Sequence, residues 1–205
     1  KLVYYFDEKK PHISNYWNLT LQNSSDSEDV ILKKIEKLLT KSIDLRLESD
    51  APVGALLSGG LDSSIMVAIL NNITDTPVKT FTTGFGHELD EYKEAKIVSE
   101  HCGTDHNEIE LSYKKLTDSL PTILWHMEFP FGRPSILSNF LVAEEVKKFV
   151  TVAYTGEGSD ELFGGYNRYI QFSEKNSIPL HDKINSIPSG FFSNSQDRSI
   201  FSQSL

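Results

Sequence analysis

Cysteine is almost absent: Cys102 stands alone in 205 residues, which excludes an intrachain disulfide framework and a multi-cysteine zinc site. A reducing compartment, and with it a cytoplasmic location, is the expectation. Basic residues are in deficit, 20 Lys and Arg against 29 Asp and Glu, for a formal charge of -9. Most surfaces should therefore repel a polyanion, and nucleic acid is not an expected partner. Apolar runs are short, none approaching the roughly 18 to 20 residues that span a bilayer. The opening Lys1 to Asp7 is too short for a secretion signal, so no membrane association is expected. What is plentiful is core material, since 39% of the residues are hydrophobic, enough for one domain or one domain with an appendage.

Leu2 to Phe6 and His12 to Leu19 form two short alternating runs around the turn-like Asp7 to Pro11, a hairpin with no partner sheet. A two-stranded ribbon is marginal alone, so it should pack on the main body or belong to a neighbouring domain. The start without an initiator Met suggests a fragment. Asn23 to Ser27 is a polar linker ending in good helix caps, and Val30, Ile31, Ile35, Leu38, Leu39, Ile43 and Leu47 then recur at helical spacing. Beyond them the runs Gly54 to Leu57, Val78 to Phe85, Glu108 to Leu111 and Thr151 to Tyr154 read as strands. Ser63 to Leu70, Glu91 to His101, Lys114 to Met127 and Ser138 to Phe149 read as the connecting helices. The alternation predicts an α/β fold, a parallel twisted sheet with helices on both faces, whose ligands sit beyond the carboxyl ends of the strands. From Gln171 onward Ser, Asn and Pro accumulate without a period, a loop-like tail.

The stretch Leu56-Leu57-Ser58-Gly59-Gly60-Leu61-Asp62-Ser63-Ser64 passes from strand to helix through two glycines. Such a junction lets the backbone approach an anion and aims N–H groups and the helix dipole at it. Ser58, Ser63 and Ser64 add hydroxyls, and Asp62 a hard oxygen for magnesium. The bland alternative is an ordinary junction that Asp62 and Ser63 merely cap. Walker, dinucleotide-fingerprint, nucleophile-elbow and His-Glu-x-x-His patterns are all missing. Further on, Thr155-Gly156-Glu157-Gly158-Ser159-Asp160-Glu161-Leu162-Phe163-Gly164-Gly165-Tyr166 packs three carboxylates and four glycines into twelve residues. Glycines there permit tight backbone beside a ligand, and the acids can hold magnesium or act as bases. Gly158-Ser159-Asp160 could also be a solvated turn capping a short helix.

The first stretch resembles the pyrophosphate-binding loop of the N-type ATP pyrophosphatases, or PP-loop enzymes, which split ATP between its α and β phosphates. The two stretches together, with Lys79-Thr80-Phe81-Thr82-Thr83-Gly84-Phe85 between them, look like the synthetase domain of the glutamine-hydrolysing asparagine synthetases, from about Tyr16 to Tyr169. The resemblance implies that ATP activates the side-chain carboxylate of aspartate as β-aspartyl-AMP with release of pyrophosphate, and that ammonia then displaces AMP. It implies that Ser58, Gly59, Gly60, Asp62 and Ser63 hold the pyrophosphate and its magnesium. Leu56, Thr83, Gly84, Thr155 and Gly156 would line adenosine and ribose. Asp160 would be a second magnesium or pyrophosphate-side carboxylate, and Glu157 would face the acyl-adenylate and take a proton from ammonia. By the same resemblance residues 1–24 are hairpin and linker from an amidotransferase domain that supplies the ammonia, 25–170 are the synthetase domain, and 171–205 begin an incomplete C-terminal part. The full-length protein could form a homodimer.

Three features depart from the family pattern. No N-terminal cysteine nucleophile is present, so these residues predict no glutaminase. The Arg-x-Pro-Phe-Leu-Asp signature and a phosphate-contacting lysine are not found after Tyr166. Arg133 stands where many relatives carry an acid, and it either alters the choice of carboxylate, pairs with an anion or faces solvent. Elsewhere Cys102 reads as a small buried hydrophobe, His101 and His106 make a weak metal case, and Glu91, Lys93, Glu94 and Lys96 read as a solvated helix face. Trp125 to Glu128 reads as core plus an exposed end. Competing functions are a PP-loop ligase for another carboxylate, β-lactam-forming or amidating; a tRNA-modifying pyrophosphatase, which would want a basic face; and a nucleotide binder without turnover.

Overall fold

A computed structural model of the chain describes residues 1–18, 24–47, 51–128, 132 and 135–166. Arg133 and the tail from Gln171 lie outside them. The chain divides into two compact units, Lys1–Leu38 and Leu39–Leu205. In the first, β1 (Leu2–Tyr5) and β2 (Lys10–Ile13) form an antiparallel hairpin pairing Leu2 with Ile13 and Tyr5 with Lys10. The second strand begins two residues earlier than its alternating run, because the turn closes sooner: Lys9 adopts a left-handed φ of 53° and its N–H donates to the Tyr5 carbonyl at 2.9 Å. Pro11 can sit inside β2 opposite Tyr4 because a two-stranded ribbon is all edge and one missing donor breaks no central ladder. The helix α1 (Glu28–Asp44) starts after Ser27, whose carbonyl accepts from Val30 and Ile31, and opens on Glu28 and Asp29, charges suited to the positive end of a helix.

The second unit holds β3 (Val53–Leu56), α2 (Leu61–Ile73), β4 (Lys79–Gly84), α3 (Tyr92–Cys102), β5 (Asp105–Glu110), α4 (Tyr113–Met127), α5 (Ser135–Val146), β6 (Val152–Tyr154) and the short α6 (Ser159–Phe163). The strands stand in the order β5-β4-β3-β6, every pair parallel, with Leu56 opposite Phe81 and Ala55 opposite both Thr80 and Tyr154. This is the expected α/β architecture. Alternation along each strand sends side chains to two cores. Ala55 and Leu57 point to one, shared with Val67 and Leu70 of α2, Ala95 of α3 and Ile43 of α1; Leu56 and Phe81 point to the other, shared with Val142 and Val146 of α5. Tyr154 reaches across from β6 to donate to the Ile43 carbonyl at 3.3 Å. Asn71 ties the end of α2 to its surroundings, donating to the Cys102 carbonyl at 2.7 Å and accepting from Val78 N–H at 3.0 Å.

Boundaries differ from the expectation by a few residues. The strand expected at Glu108 to Leu111 starts at Asp105, since its polar first half sits on the sheet edge, where ladder bonds and not burial define it. The helix expected at Ser138 to Phe149 runs three residues earlier at both ends. Gly103, left-handed at φ 72°, ends α3 by donating to the Ser99 carbonyl at 2.8 Å. Among the described residues no helix is long and apolar enough to cross a membrane.

Candidate functional site

The strand β3 is central and β6 lies beside it, so the loops that leave their carboxyl ends are neighbours. The loop after β3 is organised by its own hydroxyls. Ser63 Oγ lies 2.9 Å from Ser58 Oγ, accepts from Ser58 N–H at 3.2 Å and reaches the Gly60 carbonyl at 3.2 Å. Gly60 N–H donates to Ser58 Oγ at 3.2 Å, and Ser64 Oγ donates to the Gly60 carbonyl at 2.6 Å. Gly59 is left-handed at φ 79°, and a Cβ there would stand 2.4 Å from the Glu94 carbonyl carbon and 2.6 Å from the Ala95 nitrogen. The loop thus lies directly on the backbone of α3. That contact needs glycine twice over, for the backbone angle and for the space.

The second loop is pressed against the first. A Cβ on Gly156 would come within 3.2 Å of the Ser63 nitrogen and 3.4 Å of Asp62 Cβ. Gly158, at φ 96°, turns the chain into α6, and Gly164, at φ 70°, turns it out again. Gly165 donates to the Asp160 carbonyl at 3.1 Å, and a Cβ on it would fall 2.1 Å from Asp160 Oδ1. Gly165 therefore packs directly against one carboxylate, Asp160.

Between the loops lies an open cavity of about 390 Å³. Eight of the expected site residues line it: Leu56, Ser58, Asp62, Ser63, Thr83, Gly156, Glu157 and Asp160. The other four do not line it. Gly59 packs on α3, Gly60 caps α2, Thr155 follows β6, and Gly84 ends β4 where a Cβ would meet Asp90 Oδ2 at 2.4 Å. The remaining lining residues are Leu57, Phe81, Thr82, Glu91, Asn139 and Val142. Glu91, read from sequence as part of a solvated helix face, is exposed but borders the cavity from the start of α3. Asn139 and Val142 come from one face of α5, three residues apart, and nothing in the periodicity of that helix sets them apart from its other residues.

Among the described residues the lining carries four carboxylates, Asp62, Glu91, Glu157 and Asp160, and no Lys, Arg or His. Among the described residues no group of three or more His, Cys, Asp or Glu could hold a metal unaided. Two carboxylates on one cavity do suit magnesium, which takes few protein ligands and completes its shell with water and phosphate oxygens. Away from the cavity, burial pushes the Cys102 thiol up, which leaves little thiolate and fits a packing role. His106 is engaged by the Thr80 hydroxyl at 2.9 Å, and burial holds its imidazole below the usual range.

A glycine loop and an acidic glycine loop converging at the ends of two adjacent parallel strands define an α/β protein of the kind whose ligands lie beyond the carboxyl ends of its strands. The asparagine synthase family model matches residues 34–199, and the chain belongs to that family. A Bacillus subtilis (strain 168) protein named asparagine synthetase (glutamine-hydrolyzing) 1 is 36% identical over 155 residues, 75% of this chain and 24% of that protein. A putative asparagine synthetase (glutamine-hydrolyzing) 2 of Methanocaldococcus jannaschii is 34% identical over 170 residues, 82% of this chain and 33% of its own length. Amidase chyE of Penicillium rubens is 31% identical over 183 residues, 80% of this chain and 27% of that protein. The chain thus spans about a quarter to a third of the length of these relatives. Among solved structures, a glutamine-dependent NAD+ synthetase from Acinetobacter baumannii in complex with ADP is similar with a TM-score of 0.46 and 15% identity, over 100% of this chain and 45% of that one.

Proposed function

We propose that the chain is the synthetase part of a glutamine-dependent asparagine synthetase, converting aspartate, ATP and ammonia into asparagine, AMP and pyrophosphate. One observation carries this reading: the Ser58 to Ser63 loop and the Gly156 to Asp160 loop border the same cavity. In the first half-reaction an oxygen of the aspartate side-chain carboxylate attacks the α-phosphorus of ATP, and the bond to the β-phosphate bridging oxygen breaks. Ser58 and Ser63 bind the departing pyrophosphate through their hydroxyls at the start of α2, where negative charge collects. Leu56, Thr83 and Gly156 hold the adenosine. In the second half-reaction ammonia adds to the acyl carbon, Glu157 takes its proton, and AMP leaves with both electrons of the acyl–oxygen bond.

Asp62 and Asp160 would hold magnesium, which when bound neutralises phosphate charge during adenylation. Four carboxylates, with no basic side chain among the described lining residues, make a poor host for a polyphosphate, and a cation resolves that conflict. Residues 25–170 form the synthetase domain in this proposal, residues 1–24 connect it to an amidotransferase domain, and 171–205 open its C-terminal part. The whole protein would work in the cytoplasm, the compartment that its single cysteine suits. A second reading keeps the adenylation chemistry and changes the acid, and similarity to a relative called an amidase favours it.

The test is aspartate-dependent pyrophosphate release with Mg-ATP. Asp62→Asn should abolish release, and Glu157→Gln should impair asparagine formation more than adenylate formation. Release with another acid but not aspartate would move the protein to the second reading. Equal loss of both half-reactions in Glu157→Gln would remove that residue from the ammonia step.

A further inference from the structure

Thr82 is 3% exposed and lies on β4, on the face opposite to Phe81 by strand alternation. A buried hydroxyl is unfavourable there unless bonded, and Thr82 Oγ1 donates to the backbone carbonyl of Leu57. That carbonyl occupies a particular place in the sheet. Leu57 N–H, one residue beyond β3, still donates to the Phe81 carbonyl at 2.9 Å. In a parallel ladder with Leu56 opposite Phe81, the next rung would run from Thr83 N–H to the Leu57 carbonyl. The Thr82 side chain makes the bond to that carbonyl, and the backbone rung is not formed.

We infer that Thr82 is a positioning residue of the nucleotide loop: its hydroxyl ends the β3–β4 ladder at Leu57 and fixes the direction in which Ser58-Gly59-Gly60 leaves the sheet. Leu57 is then held at its N–H by Phe81 and at its carbonyl by Thr82, so the next residue, Ser58, starts from a fixed peptide plane. The same substitution of side chain for backbone frees Thr83 N–H from the rung, at a residue that lines the cavity. This inference rests on the proposed reading of the loop as a site for ATP.

Mg-ATP affinity by titration calorimetry and the unfolding midpoint of the same samples test it. Thr82→Val keeps the shape and deletes the donor, and it should weaken ATP binding about tenfold while Thr82→Ser restores affinity to within about threefold. If Thr82→Val does not fold, Thr82→Ser and Thr82→Ala are compared, since both lose the methyl and only one keeps the hydroxyl. A similar gap in ATP affinity between those two, larger than any gap between their affinities for magnesium alone, supports the assignment. Wild-type affinity in Thr82→Val, or equal affinities in the Ser and Ala variants, overturns it. A wild-type protein that binds no Mg-ATP would instead overturn the reading of the loop itself.

Discussion

At the scale of single residues the shape of the loop after β3 depends on glycine. Gly59 and Gly103 are both left-handed, at φ 79° and 72°, but their surroundings differ. A Cβ on Gly59 meets the backbone of α3 inside 2.6 Å, whereas a Cβ on Gly103 meets nothing within 4 Å. Gly103→Ala should therefore cost only the left-handed backbone, about 1 to 2 kcal/mol. Gly59→Ala adds overpacking of about 1 to 3 kcal/mol and must also lift the loop off α3. Urea unfolding of the two variants should rank Gly59→Ala as the more damaging, and equal losses would contradict the close approach. The need for glycine at Gly59 was legible in the sequence as turn chemistry. The difference between Gly59 and Gly103 was not, because only packing brings α3 against one and solvent against the other.

At the scale of elements, a row of polar groups ties α3, β4 and β5 together. Ser99 Oγ accepts from Thr104 Oγ1 at 2.9 Å, Thr104 Oγ1 lies 2.9 Å from Thr80 Oγ1, and Thr80 Oγ1 lies 2.9 Å from His106 Nδ1. Thr80 is fully buried, and His106 Nε2 is buried with no hydrogen-bond partner in the structure. Burial lowers the imidazole pKa from 6.5, the nearby Lys96 lowers it further, and Glu108 works against both. Below pH 6.5 the unfolded chain therefore binds a proton that the folded protein resists. His106 contributes its full stability above that pH, and the contribution falls as the solution is acidified toward the lowered folded pKa. Unfolding free energies between pH 5 and 7.5 should decline toward acid more steeply in the wild type than in His106→Gln. Parallel slopes would mean that His106 titrates as freely folded as unfolded. Sequence showed His106 only as half of a weak metal pair; its actual partner is Thr80 on the adjacent strand, which the β4–β5 register selects by pairing the two residues.

At the scale of the molecule, the excess of acid that disfavoured nucleic acid continues into the cavity, where four carboxylates meet no basic side chain among the described residues. A polyphosphate bound there needs a counter-charge, so ATP affinity should collapse on chelation of divalent cations. Calorimetric titration of ATP with magnesium and then with excess EDTA should show a loss of at least about tenfold, the equivalent of about 1.4 kcal/mol. Undiminished binding in EDTA would mean that the phosphates lie away from Asp62 and Asp160.

The sequence by itself determined the alternation of strands and helices, the two glycine loops and the residues that organise them, because turn angles, capping and periodicity act over a few neighbouring positions. Eight of the twelve site residues that the family resemblance implies do line the cavity. Only the tertiary structure decided that β6 lies beside β3, that α5 contributes Asn139 and Val142, that Glu91 borders the cavity, and that Thr82 takes the place of a backbone rung. Each of those depends on which strands pair and in what register, and therefore on contacts between residues distant in the chain.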